Sequence, residues 1–154
     1  MKLKTNLSLG IASNIIDSAI ENGRKQNLLP LTIVILDSGG KIIACKSEDG
    51  SSNLRFDIAY GKAWGALGLG MSSRLIAERM SSRPTFLNAL AAVSKGKFVP
   101  VQGGVLIEDD KGFTIGAIGI SGDTSEKDEY CAINAIKSSG LFSEPAEIDL
   151  SLKS

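Results

Sequence analysis

Tyr60, Lys62, Asp128 and Glu129 are the side chains of this 154-residue sequence whose types could move protons. Together they offer acid and base groups for isomerase, lyase or cyclase chemistry that needs no metal. The chain contains no histidine, so the commonest general base and the commonest metal ligand are both missing. Serine or cysteine catalysis assisted by histidine is excluded for the same reason. Nothing in the spacing demands catalysis, and surface or core roles stay open for each residue. In "SGDTSEKDE" Ser125 and Asp128 form a capping-box-like pair, while Asp123, Glu126, Asp128 and Glu129 bring negative charge to the positive end of a helix. Asp128 can therefore be a helix-start acid, or a carboxylate at a pocket rim that transfers protons or binds a cation. Glu129 points about 100° further around the helix and cannot share that environment.

Glycines mark where something else must come close. "FTIGAIGIS" alternates with period two, placing Gly116 with Thr114, Ile118 and Ile120, and Gly119 with Phe113, Ile115, Ala117 and Ser121. Each face has one recess, for a packed helix or for a ligand. Gly61, Gly65 and Gly68 form a stripe on a predicted helix at a cost of about 1 kcal/mol each relative to alanine, which makes sense where a backbone, a second subunit or a ligand approaches. Arg55, at the start of that helix, can hold an anionic group. Arg55, Gly103, Gly104, Gly119, Ser121 and Asp123 are the candidate ligand contacts, with the ligand between the "RFDIAYGKA" helix, the Gly103-Gly104 pair and the Ser-Gly-Asp turn.

The elements that must position these residues follow from periodicity. Ile11/Ala12, Ile15/Ile16 and Ala19/Ile20 recur every four residues within 7–27, the pattern of a helix with one buried face. "LTIVILD" and "KIIACK" flank Ser38-Gly39-Gly40 and read as an antiparallel hairpin. A helix over "LRFDIAYGKAWGALGLG" follows, then a short one over "SSRLIAERMSS" and another from Pro84. "KFVPVQ", "GVLIED" and "GFTIGAIGIS" read as three strands, the last two joined by Asp109-Asp110-Lys111-Gly112. The last helix runs from Ser125 to Ser139 and stops at Gly140, leaving a tail over 142–154. Tight turns between strands imply an α+β domain with a largely antiparallel sheet. One domain over 1–154 is expected, with its core at about 5–141.

Seventeen basic residues balance seventeen acidic ones with no local cluster, which argues against a nucleic-acid partner and is consistent with self-association. Cys45 and Cys131 have no CxxC spacing and read as buried thiols. The polar interruptions of the N-terminal helix argue against a signal peptide, and no apolar run approaches the ~18 residues of a membrane span, so a cytoplasmic protein is expected. Walker, dinucleotide-fingerprint, serine-elbow and calcium-loop patterns are absent from the sequence.

Taken together, "PLTIVILDSGGKIIA", Asp49-Gly50, "DIAYGKAWGA", Gly103-Gly104 and "IGAIGISGDTSEKDE" resemble the GlcG/HbpS-like proteins, a group that includes the C-terminal domain of PduO-type corrinoid adenosyltransferases. The resemblance spans roughly residues 5–141. It implies a profilin-like α/β/α arrangement with a five-stranded antiparallel sheet flanked by helices, assembly into homo-oligomers, and a small-molecule ligand: haem or another hydrophobic or anionic compound. Haem ligation by histidine, reported for some relatives, cannot occur here. The resemblance leaves Cys45, Cys131, Met71, Met80, a tyrosine or a hydroxyl as the axial donor, none of them in a haem motif.

Overall fold

The computed structural model describes residues 1–153, so Ser154, the last residue of the expected domain and tail, lies outside the described residues. Helix α1 (Leu9–Lys25) starts where the Ser8 hydroxyl accepts the Ile11 N–H at 3.2 Å, and it buries Ala12, Ile15, Ile16 and Ala19. Strands β1 (Thr32–Asp37) and β2 (Ile42–Ser47) form the hairpin. Its turn is fixed by the Asp37 carboxylate, which accepts the N–H groups of Gly39 and Lys41, and by Gly40 at φ 82°. Helices α2 (Leu54–Leu69), α3 (Ser73–Met80) and α4 (Pro84–Val93) follow, then strands β3 (Gly104–Glu108) and β4 (Thr114–Ser121), helix α5 (Ser125–Ser138) and strand β5 (Phe142–Glu144). A 3-10 turn over Leu150–Lys153 follows.

The sheet order is β2-β1-β4-β3-β5 with every neighbouring pair antiparallel, so the α+β, five-stranded expectation holds. Its membership differs from the sequence reading. "KFVPVQ" is not a strand; it crosses the back of α2, where the Val99 N–H donates to the Gly61 carbonyl at 3.4 Å. A Cβ on Gly61 would sit 2.5 Å from Val99, and one on Gly65 would sit 2.8 Å from the Phe98 ring. Two glycines of the stripe are thus filled from within the chain, while Gly68 has nothing within 4 Å. The fifth strand comes instead from residues 142–144, in the expected tail, which pair with 106–108.

Two layers of helix enclose the sheet. Helices α1 and α5 cover one face with an isoleucine-rich core that includes Ile15, Ile33, Ile35, Ile118, Ile120 and Ile133. Burial of each such side chain is worth about 2 kcal/mol. Helix α2 covers the other face, where Ala59, Ala63 and Ala66 meet Val34, Leu36 and Ala117. Small residues are needed there because the helix backbone lies almost on the sheet: a Cβ on Gly119 would fall 1.8 Å from the Ala59 carbonyl oxygen. Strict alternation fails once in β4. The pairing with β3 shifts between Ile107 and Glu108, and Ile115 joins Ile118 and Ile120 in the α1/α5 core instead of facing α2 with Ala117.

Candidate functional site

An ion pair out of contact with water joins α2 to the first turn of α5. Lys62 and Asp128 are 2% and 1% exposed, and the Lys62 Nζ donates to Asp128 Oδ2 and to the Ile120 carbonyl, both at 2.9 Å. The other Asp128 oxygen accepts the Asp123 N–H at 3.1 Å. Burial lowers the pKa of the Lys62 ammonium and raises that of the Asp128 carboxyl, and each partner pulls the other back toward the charged form. Gly103 makes room for the pair. Its φ of 114° suits glycine, and a Cβ there would lie 2.8 Å from the Lys62 Nζ and 3.1 Å from the Asp128 Cβ. A Cβ on Gly104 would lie 2.3 Å from the Lys62 carbonyl oxygen.

Three expected site features change on this geometry. Thr124, not Ser125, occupies the cap position of α5, and it makes no side-chain capping bond. Asp128 serves Lys62 and the preceding turn. The recess at Gly116 is filled by the Leu36 backbone of β1 and the Leu7 side chain, and that at Gly119 by the backbone of α2, which also lies against Gly104. Asp123 is occupied as well: its carboxylate accepts the Leu29 N–H at 2.9 Å and the Thr124 N–H at 2.8 Å and pairs with Lys127 at 3.2 Å, contacts that hold its pKa below the usual range.

Beside the pair, at the first turn of α2, lies a row of hydroxyls in which the expected contact Ser121 is joined by Thr32, Ser47 and Ser51, which the sequence did not single out. Thr32 stands opposite Ser47 on β2 and Ser121 on β4, so the three share one face of three adjacent strands. The Thr32 hydroxyl is 2.9 Å from that of Ser47 and 2.7 Å from that of Ser51. Arg55 closes the row by donating to the Ser121 hydroxyl at 3.2 Å. Among the described residues no carboxylate lies within ion-pair distance of this guanidinium, although its charge is felt by both Lys62 and Asp128. The polar residues at alternate positions near the strand ends, Thr32 and Ser47 among apolar neighbours, were the available signal.

Glu129 and Tyr60 lie elsewhere. Glu129 is fully buried and faces Arg74 of α3, whose Nε is 3.4 Å from Oε1. Burial pushes its carboxyl up to about 7. Tyr60 stacks on Phe56, with ring centroids 6.1 Å apart. The four proton-transfer candidates thus divide among three places, and Lys62 and Asp128 alone touch one another.

Several surface grooves lie away from the buried pair. The N-terminal segment and the β1–β2 turn border a groove of about 460 Å³. A smaller apolar one of about 160 Å³ runs between α2 and α4, lined by Trp64, Leu69, Leu90, Val93 and Phe98. Cys131 is fully buried, and desolvation pushes its thiol up to about 12, whereas Cys45 is exposed on the edge strand β2 instead of buried as expected. Among the described residues no group of three or more potential ligands could hold a metal ion, and no helix is long and apolar enough to cross a membrane.

Residues 7–137 match the family described as haem degrading protein HbpS-like. No protein of curated function matches the sequence. Among solved structures, the PduOC:haem complex superposes with a TM-score of 0.80 at 24% identity, covering 90% of this chain and 98% of that one. The ORFY protein of Klebsiella pneumoniae gives 0.80 at 22% identity, covering 91% and 94%. A double mutant of HbpS from Streptomyces reticuli gives 0.74 at 20% identity, covering 90% of each chain. At these identities the likeness is one of fold.

Proposed function

This chain belongs to the HbpS-like family, and from that premise we propose that it is a self-associating small-molecule-binding protein whose ligand carries a carboxylate or similar anionic group. The observation that carries this reading is Arg55, a half-buried guanidinium that among the described residues has one hydroxyl partner and no carboxylate, set over a row of hydroxyls at the positive end of a 16-residue helix. The Lys62–Asp128 pair behind it fixes α2 against β4 and α5, which keeps Arg55 and Ser121 in register.

Haem is the compound degraded in the family's description and the one bound in the PduOC complex. The strongest donors for its iron are missing or committed. There is no histidine in the sequence, Cys131 is sealed in the core as a thiol, Cys45 stands exposed on the edge strand β2, and Lys62 is committed to Asp128 and Ile120. Recognition through carboxylates needs no iron ligand.

Titrating the purified protein with hemin, with iron-free protoporphyrin and with small dicarboxylates tests this. The expected result is saturable binding of one or more of them that weakens about tenfold or more in Arg55→Gln, consistent with loss of a charge-assisted bond of about 1.5–3 kcal/mol, and no Soret signature of axial ligation. Saturable binding indifferent to Arg55→Gln, or a hemin spectrum showing a protein axial ligand, would remove the proposal.

The self-association arm rests on α4. None of the ten residues of Pro84–Val93 is buried, although eight are apolar, and the segment 84–94 between Arg83 and Lys95 is uncharged, so a second copy can meet it without like-charge repulsion.

A further inference from the structure

Glu129 is the buried ionisable group that neither the Arg55 site nor the core uses. Among the described residues, its two carboxylate oxygens are the buried side-chain polar atoms that lack a hydrogen-bond partner. Arg74 approaches within ion-pair distance at 3.4 Å but makes no hydrogen bond to it, and its Nη2 donates instead to the Glu147 carbonyl at 2.7 Å. The other charged groups that face Glu129 are Glu78 on α3, Glu144 on β5, Asp149 before the 3-10 turn and, from α2, Lys62. Glu129 thus faces three other carboxylates against one guanidinium and one ammonium.

The elements carrying these groups also close the site. Glu144 accepts bonds from the backbone N–H and the hydroxyl of Ser72, tying the start of α3 to β5. The Ser73 hydroxyl accepts the Gly104 N–H at 2.7 Å. Gln102 donates to Asp149 at 2.6 Å, holding the segment after β5. A buried carboxylate with no N–H to accept and a surplus of negative neighbours is poorly accommodated, whereas the neutral acid is not.

We propose that Glu129 is a proton-operated latch: when protonated it lets α3 and the 144–149 segment close over it, and its ionisation favours a loosened arrangement in which water reaches the carboxylate. Burial, opposed by Arg74 and reinforced by Asp149, Glu144 and Glu78, pushes the carboxyl up from its ordinary 4.5 to about 7 in the closed form. The closed form binds the proton more tightly than the loosened one, so closure is complete at acid pH and weakens as pH rises through neutrality. The latch does not depend on the identity of any ligand.

Hydrogen exchange on the full chain at about pH 5.5 and 8.5, corrected for the chemical exchange rate, tests it. With a loosened-form carboxyl at the ordinary value, the opening equilibrium of α3 and residues 142–149 rises by about 30-fold across that interval, and β1 and β4 stay unchanged. In Glu129→Gln the rise is lost. A pH-independent wild type, or the same rise in Glu129→Gln, overturns the latch. Should that variant not fold, a carboxyl-carbon NMR titration of the unmodified protein decides: a Glu129 midpoint near 7 supports the latch, and one below about 5 refutes it.

Discussion

Replacing Lys62 with methionine tests whether the buried pair holds α2 on the sheet. The variant keeps an unbranched side chain but removes the charge and two donated bonds, leaving Asp128 in the interior with the Asp123 N–H as its remaining partner. Asp128 can stay charged, at the 3–5 kcal/mol typical of breaking a buried pair, or take a proton. Neutralising an aspartate of ordinary pKa 3.8 at neutral pH costs about 4 kcal/mol, which caps the loss. The expected destabilisation is therefore about 3–4 kcal/mol at pH 7, or roughly 10 °C in Tm for a chain of this size. Its pH dependence has a definite sign. In the variant the folded-state pKa of Asp128 is raised, so stability is retained at acid pH and falls by up to about 1.4 kcal/mol per pH unit above 3.8 until the folded pKa is passed. Adding Asp128→Asn removes the charge to be neutralised and recovers most of the loss. Urea unfolding of both single variants and the double at about pH 5 and 7, at several protein concentrations so that self-association is separated, gives the coupling energy. A Lys62→Met loss below about 1 kcal/mol with no pH slope would refute this account of the pair.

Two glycines on facing elements predict opposite outcomes. Gly119→Ala places a Cβ 1.8 Å from the Ala59 carbonyl oxygen, a backbone atom that moves only if α2 moves, so a loss above about 3 kcal/mol or failure to fold is expected in thermal unfolding. Gly68→Ala meets nothing within 4 Å in an exposed helical position and gains about 0.5–1 kcal/mol; a loss there instead means that something covers that face. For α4, Phe86→Asp and Val93→Asp alter side chains 45% and 83% exposed, so folding of the single chain changes by less than about 0.5 kcal/mol while sedimentation shifts to the monomer. Sedimentation unchanged from wild type rules α4 out as the self-association surface.

What was legible in the sequence is what local rules decide. The α1 periodicity, the Ser-Gly-Gly hairpin, Pro84 in a first turn and the Gly140 stop are written in adjacent residues, and the structure realises each. "KFVPVQ" misled because a β-rich run has the same composition whether it pairs with a strand or fills the back of a glycine-bearing helix, and Gly61 and Gly65 receive it. β5 was missed because three residues after a helix stop have too little pattern to register as a strand. Lys62 and Asp128 could each be named as candidates, but their pairing joins positions 66 residues apart and depends on β4 lying between β1 and β3. Arg74 was not among the candidates, since its role exists only where α3 reaches the β5 edge.

The adjacent acids Asp128 and Glu129 show how one helical turn serves two regions of the molecule. The step of about 100° between them turns one carboxylate toward α2 and the other toward α3 and the residues after β5. The first is satisfied by a lysine, a backbone N–H and the geometry of Gly103, so it is held in place and steadies the platform from which Arg55 projects. The second has an arginine at 3.4 Å and no hydrogen bond, so protonation is its lower-cost state. Asp128→Asn should therefore weaken ligand binding at Arg55 by disturbing α2, with little change in the pH response of α3. Glu129→Gln should abolish that response and leave ligand affinity at acid pH unchanged. If both substitutions altered both readouts alike, α5 would be transmitting a single global loosening, and the separation of the two carboxylates would carry no functional meaning.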